Sequence, residues 1–135
     1  MKQAADSSVT IAALLSDHPA HEGAADALAA CETTIAHVAA ETYSVLTRLP
    51  TPNRPDAATV VDALTKRLPP TYATLDAGDF ASAPGRLAAA GVSGGATYDG
   101  LIALTALEHD LELVSRDRRA ARSYRTLGVR FKLLT

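Results

Sequence analysis

Four acidic residues stand where a folded chain can do chemistry with them: Asp6, Glu41, Asp99 and Asp117. Asp6 ends the run Gln3-Ala4-Ala5 and is followed by two serines. Glu41 lies three residues after Val38 and four before Val45, so it shares the apolar side of its helical stretch. Asp99 opens another helical pattern, with Ile102, Ala103 and Ala106 behind it, and Asp117 closes the short apolar stretch Leu113-Val114-Ser115-Arg116. A lone carboxylate on a core face is costly unless it is paired, hydrogen-bonded or bound to a metal. Neither helix has a basic residue one turn away on that face. Taken singly, Asp99 is a helix-start acid favoured by the dipole and Glu41 an edge residue. Taken together, the four define a carboxylate centre. An oxygen-only set with no organised cysteine or histidine suits a hard divalent cation, Mg²⁺ or Mn²⁺. Such an ion offsets the mutual repulsion that raises carboxylate pKa values, polarises a phosphoryl oxygen and activates water.

The elements that must position these acids alternate along the chain. Residues 3–5 predict a short, polar first strand, and Val9 to Leu15 a helix capped by Ser7 or Ser8. A second helix is expected from Pro19 to about Cys31, a β-branched strand at Thr33–Ala36, and a third helix from Val38 to Leu49, stopped by Pro50. Asp56 caps a fourth helix ended by Pro69-Pro70, and Tyr72 to Leu75 reads as a strand. A helix from Asp79 to Ala90 closes at Gly91, and Gly94-Gly95 make a tight entry to the Asp99 helix. After Leu113-Val114 comes a helix from Arg118 to Leu127 with Gly128 as its stop, then a last strand through Val129, Phe131, Leu133 and Leu134. Alternating strands and helices predict an α/β fold, a three-layer α/β/α sandwich around a mostly parallel sheet. In such sheets, sites form beyond the carboxyl ends of the strands. Asp6 and Asp117 hold such positions.

At 135 residues the length predicts one domain over 1–135. The single cysteine, Cys31, excludes an internal disulfide and any multi-cysteine metal site. No signal-like or membrane-spanning apolar run occurs, so a cytoplasmic protein without membrane attachment is expected. Charge is divided unevenly. Residues 1–112 carry 14 acids and 6 bases, a balance of −8, whereas residues 113–135 carry 7 bases against Asp117, a balance of +6. That basic end reads either as contact with phosphates or an acidic partner, or as a solvated helix face.

The motifs Asp6-Ser-Ser8, Val-Ala-Ala-Glu41-Thr-Tyr-Ser-Val-Leu, Tyr98-Asp99-Gly-Leu-Ile-Ala-Leu-Thr-Ala and Leu-Val-Ser115-Arg-Asp117 resemble those of the PIN-domain ribonucleases. Size and layout are most similar to the VapC toxins of bacterial VapBC toxin–antitoxin pairs. The likeness runs along essentially the whole chain. It implies a PIN fold and Mg²⁺- or Mn²⁺-dependent endonucleolytic cleavage of RNA. It also implies a VapB-like antitoxin as partner and a homodimer. By position, Asp6, Glu41, Asp99 and Asp117 would be both the metal ligands and the catalytic acids. Ser8 and Ser115 match places where a hydroxyl steadies the acids by hydrogen bonding. Arg116, Arg119 and Arg122 are candidates for contact with RNA or antitoxin. Gly100 stands where the family often has alanine, an exchange that weakens the helix start and leaves backbone room near the site.

Two rival readings remain open on the residues alone. One is a non-catalytic PIN-like or receiver-like binding module, although a receiver needs a lysine near its acids, and only Lys66 and Lys132 present themselves. The other is a metal-dependent nuclease acting on DNA. His18 and His21 lack further ligands nearby in sequence and read as a surface helix start. His37 lies near Glu41 at a strand end, and Cys31 reads as a small buried hydrophobe. Gly94-Gly95 has no Gly-Lys-Ser/Thr to complete a phosphate loop.

Overall fold

A computed structural model describes residues 1–135. Five strands alternate with seven helices: β1 (Gln3–Ala5), α1 (Ser7–Leu14), α2 (His21–Ala29), β2 (Thr34–Ile35), α3 (Ala36–Leu46), α4 (Ala57–Arg67), β3 (Tyr72–Ala73), α5 (Ala77–Ala89), α6 (Thr97–Glu108), β4 (Glu112–Ser115), α7 (Arg118–Leu127) and β5 (Phe131–Leu133). Every strand pairing is parallel. β1 lies on β4 with Ala4 opposite Leu113, and β4 lies on β5 with Val114 opposite Lys132. β2 pairs with β3, Thr34 opposite Tyr72, and the Glu32 N–H donates to the Gln3 carbonyl at 3.2 Å, drawing this pair alongside β1. The strands thus form a three-stranded sheet, β1-β4-β5, and a two-stranded one, β2-β3, which that one bond sets side by side in the spatial order β3-β2-β1-β4-β5. The chain winds one way from β1 and the other way from β4, so the order reverses between those two strands.

The polar-looking first strand is the centre of the sheet. Ala4 and Ala5 point to opposite faces, as period-two geometry requires, and both are buried. Ala4 packs with Ile35, Val38, Ile102, Leu113 and Tyr124 under α3, α6 and α7. Ala5 packs with Val9, Ala12, Leu28 and Val114 under α1 and α2. A strand covered on both faces has no reason to alternate apolar with polar, and two alanines let both helix layers approach closely. A third cluster, Leu75, Ala83, Leu87, Val92 and Leu104, seats α5 on α6.

Several boundaries differ from expectation for local reasons. Asp6, rather than Ser7 or Ser8, caps α1, accepting from the Ser8 and Val9 amides. α3 ends at Leu46 instead of Leu49, because Thr47 caps it and donates its hydroxyl to the Tyr43 carbonyl at 2.7 Å. The residue before Pro50 is also disfavoured in helical conformation. α5 begins two residues early, at Ala77, capped by Asp76. α6 is entered through a tight 3₁₀ turn, Gly94–Ala96, whose Gly94 has φ 59°, and α7 stops at Gly128 with φ 78°. Gly100 opens no space at the acids. A Cβ there would lie 2.4 Å from Leu87 Cδ2 and 3.3 Å from Val92 Cγ1, so its missing side chain lets α6 press against α5.

Candidate active site

The sheet's reversal point fixes two of the acids. β1 runs directly into Asp6, whose amide still belongs to the ladder, donating to the Val114 carbonyl at 2.9 Å. β4 runs into Asp117 in the same direction. Each acid then caps the helix that follows, Asp6 for α1 and Asp117 for α7. Parallel neighbours with short strand-to-helix turns thus deliver two carboxylates to one end of the sheet. Glu41 arrives from the middle of α3 and Asp99 from the first turn of α6.

Asp6 is only 2% exposed and is bonded on both oxygens. Oδ1 accepts from the Ser8 amide at 3.0 Å, the Ser8 hydroxyl at 2.6 Å and the Val9 amide at 3.3 Å. Oδ2 accepts from the Tyr124 hydroxyl at 2.8 Å. Burial pushes its pKa up, while the hydroxyls of Ser115, Ser8 and Tyr124 pull it back. The serines join the two strand ends. The Ser8 hydroxyl also accepts from the Arg116 amide at 2.8 Å, and Ser115 Oγ accepts from the Asp117 amide at 3.0 Å. The two hydroxyl oxygens stand 3.5 Å apart. Asp117 accepts through Oδ1 from the Arg119 and Ala120 amides, at 2.8 and 3.3 Å, leaving Oδ2 without a partner in the chain.

The electrostatics link all four acids. Asp99 is half-buried, and its carboxyl is pushed up to about 6, first by burial and then by the charges of Asp117, Glu41 and Asp6, with Arg119 acting in the opposite sense. Tyr124, fully buried on the inner face of α7, has its phenol pushed far up by burial and by Asp6, Asp99 and Asp117. The acids face one another without closing into a cage: no three His, Cys, Asp or Glu side chains stand together as a preformed metal site. The donor chemistry, oxygen only, suits Mg²⁺, which keeps several waters and takes only one or two carboxylates directly.

Of the arginines, Arg119 and Arg122 line one groove with Ser93, Ala96, Ser123 and Thr126, beside the entry to α6. Arg116 goes elsewhere. Its amide serves Ser8, and its side chain lines a separate cleft with His18, His21 and Glu22. The chain's two ion pairs, Lys66–Asp62 and Arg86–Glu108, involve none of the three. Lys66 is thus engaged on the outer face of α4, and Lys132 is exposed on β5, so neither supplies the lysine a receiver site needs. His18 Nδ1 accepts from the Ala20 amide, and the His21 ring bonds the Ala12 carbonyl, as befits a helix start. His37 stacks on Tyr98, the residue before Asp99. Cys31 is buried and its thiol is pushed up to about 11 by that burial, as expected of an inert hydrophobe.

Tyr124 is the site residue the sequence concealed. It sits in an arginine-rich helix that reads as surface, and its spacing from Asp117, seven residues or two turns, was the one available signal.

The PIN domain family model matches residues 4–125, which spans all four acids. The chain belongs to the PIN-domain family. Within it, the chain is 42% identical over 132 residues to Ribonuclease VapC40 of Mycobacterium tuberculosis, covering 98% of both proteins. It is 40% identical over 127 residues to Ribonuclease VapC27 of the same organism, covering 93% of this chain and 92% of that protein. These full-length likenesses place it among the VapC-type PIN proteins. The fold is also that of VapBC2 from Rickettsia felis, solved bound to a DNA fragment from its promoter, with a TM-score of 0.68 at 15% identity and complete coverage of both chains. FitAcB from Neisseria gonorrhoeae shares it with a TM-score of 0.63 at 18% identity, covering 95% of this chain and 94% of that one. No helix is long and apolar enough to cross a membrane.

Proposed function

We propose that this VapC-type protein is a Mg²⁺- or Mn²⁺-dependent endoribonuclease, the toxin of a toxin–antitoxin pair, which hydrolyses RNA phosphodiester bonds at Asp6, Glu41, Asp99 and Asp117. The observation that carries this is the convergence of the acids: Asp6 and Asp117 follow adjacent parallel strands at one end of the sheet, and Glu41 on α3 and Asp99 on α6 lie near enough that the other three charges help push the Asp99 carboxyl up. Four carboxylates around a sheet's reversal point carry negative charge that a bound cation would relieve. The names of the mycobacterial relatives support RNA as the substrate.

In this reading the four acids would hold the cation, and Ser8, Ser115 and Tyr124 hold Asp6 in place. The cation supplies positive charge at the scissile phosphate and lowers the pKa of a water. The chain's own contribution is orientation. Asp6 is fixed by four donors, and Asp117 is held by the first amides of α7 with Oδ2 left available. Arg119 and Arg122, which share one groove, are the candidates to hold the substrate's phosphates and so offset the repulsion between RNA and an acidic centre. A cytoplasmic location, homodimerisation and capture by a VapB-like antitoxin belong to the same proposal. The complex solved for the Rickettsia felis relative supports the last of these.

The test is cleavage of a defined single-stranded RNA, with single-stranded DNA of the same sequence alongside. RNA should be cut only with Mg²⁺ or Mn²⁺, and Asp99→Asn should abolish cutting while its circular dichroism stays native. Cutting in EDTA, or undiminished cutting by Asp99→Asn, refutes the proposal, and a preference for DNA would reassign the substrate.

A further inference from the structure

One aromatic pair sits at the rim of the acid centre. The rings of His37 and Tyr98 are stacked, with centroids 5.6 Å apart and planes 11° from parallel. Each is the second residue of its helix, His37 in α3 and Tyr98 in α6. Glu41 lies four residues beyond His37, one helical turn along the same face, and Asp99 is Tyr98's immediate neighbour. The pair therefore spans the two helices that deliver Glu41 and Asp99. One face of the tyrosine is covered by the imidazole, yet the residue is 54% exposed, so its other face is open to solvent.

The remaining exposed aromatics have other surroundings. Phe80 lines an apolar groove with Leu87, Val92 and Leu101, and Tyr72 lies on the terminal strand β3. Tyr43 is two residues past Glu41, about 200° around α3 from it. Tyr98 alone combines an open ring face with an adjoining acid of the centre. An unstacked nucleobase of single-stranded RNA seeks such a surface, and a ring already braced on its back face loses little freedom on receiving it.

We propose that Tyr98, braced by His37, is a stacking platform for a nucleobase of the bound RNA close to the scissile phosphate. This rests on the reading of the protein as an RNA-cleaving enzyme and adds a base-binding subsite to it. Stacking accepts any base, because every base has a π-face, so the platform contributes affinity and register rather than a sequence code.

The experiment compares wild type, Tyr98→Phe, Tyr98→Leu and Tyr98→Ala in two measurements. The first is steady-state cleavage of a single-stranded RNA with Mg²⁺. The second is binding, in EDTA, of a short RNA carrying 2-aminopurine at successive positions, read by quenching of its fluorescence. Loss of one base–aromatic stack raises KM by about 5- to 150-fold for Tyr98→Ala and Tyr98→Leu, with a smaller change in kcat. Tyr98→Phe, which keeps the ring, should stay near wild type in KM and in quenching at one defined position. An unchanged KM for Tyr98→Ala overturns the platform while leaving the nuclease reading intact, as does a Tyr98→Phe protein as impaired as Tyr98→Ala. A wild-type protein that cuts no RNA but quenches in a Tyr98-dependent way refutes the nuclease reading and supports the platform. Failure of the wild type to bind the RNA at all overturns the platform.

Discussion

Tyr124→Phe removes a single oxygen from the interior and should report directly on the charge of Asp6. The hydroxyl is fully buried and lies 2.8 Å from Asp6 Oδ2, and the ring also packs at a tilt against Phe131, 5.8 Å between centroids. Phenylalanine keeps that packing, so the loss is confined to the hydrogen bond. A bond to a charged acceptor contributes about 1.5–3 kcal/mol, and one between neutral groups about 0.5–1.5 kcal/mol. Unfolding entropy of roughly 2.1 cal/mol/K per residue, taken over 135 residues, gives roughly 0.28 kcal/mol/K. Where Asp6 is ionised, the variant should melt about 5–10 °C below wild type. Burial already holds the Asp6 pKa above its ordinary value of 3.8, and losing one stabilising donor raises it further. The protonated form is thus favoured by folding. That contribution is fully present at low pH and is lost as pH rises through the folded pKa. The melting deficit of Tyr124→Phe should therefore narrow toward acid pH, where the bond becomes neutral on both sides. Thermal melts of both proteins by circular dichroism, stepped from pH 4 to pH 8 in EDTA, decide it. A deficit of equal size across that range, or none at pH 8, refutes the assignment of Tyr124 as the support of an ionised Asp6.

Three further outcomes can be checked alongside. The Asp99 carboxyl titrates at about 6 when folded against an ordinary 3.8, so its contribution to stability is complete below pH 3.8 and lost as pH rises through 6. In EDTA at pH 8, Asp99→Asn should then be more stable than wild type by on the order of 1 kcal/mol, since water partly screens the half-buried group. The gain should vanish near pH 4, and Mg²⁺ should raise the wild-type melting temperature more than that of the variant. Ser8→Ala deletes the 2.6 Å donor to Asp6 and the acceptor of the Arg116 amide, which should cost about 1–3 kcal/mol in urea unfolding. Arg119→Gln combined with Arg122→Gln should weaken RNA binding and flatten its dependence on log[salt] by about two phosphate contacts, measured by anisotropy titration from 50 to 200 mM salt.

The places of the proposed acids were legible because each lies where its element ends or turns inward. Asp6 and Asp117 follow strands, and Glu41 interrupts an apolar stripe, patterns that survive without knowledge of the tertiary structure. The layers were legible too, since alternating elements leave few arrangements. What resisted reading depends on partners distant in sequence. Gln3-Ala4-Ala5 has poor strand propensity and is nonetheless the central strand, because cover on both faces overrides propensity. Gly100 matters through Leu87 and Val92, and Tyr124 through Asp6, 118 residues away. The cap of α1 was misplaced by one residue because Asp6 ends a strand and begins a helix at once, and composition alone does not assign a residue two duties.

The central position of β1 also governs when the site can exist during synthesis. Gln3 pairs with Glu112, and their side chains bond at 2.8 Å across a sequence separation of 109 residues. Until β4 has left the ribosome, β1 lacks its main ladder partner, and Asp6 has neither Ser115 nor Tyr124 beside it. Contacts of such separation form late and slowly. A nascent chain of this topology therefore carries Asp6 and Glu41 long before Asp99 and Asp117 are made, without the geometry that sets them to work. Activity should switch on only once β4 and α7 have been made, so that fragments ending before them are inert.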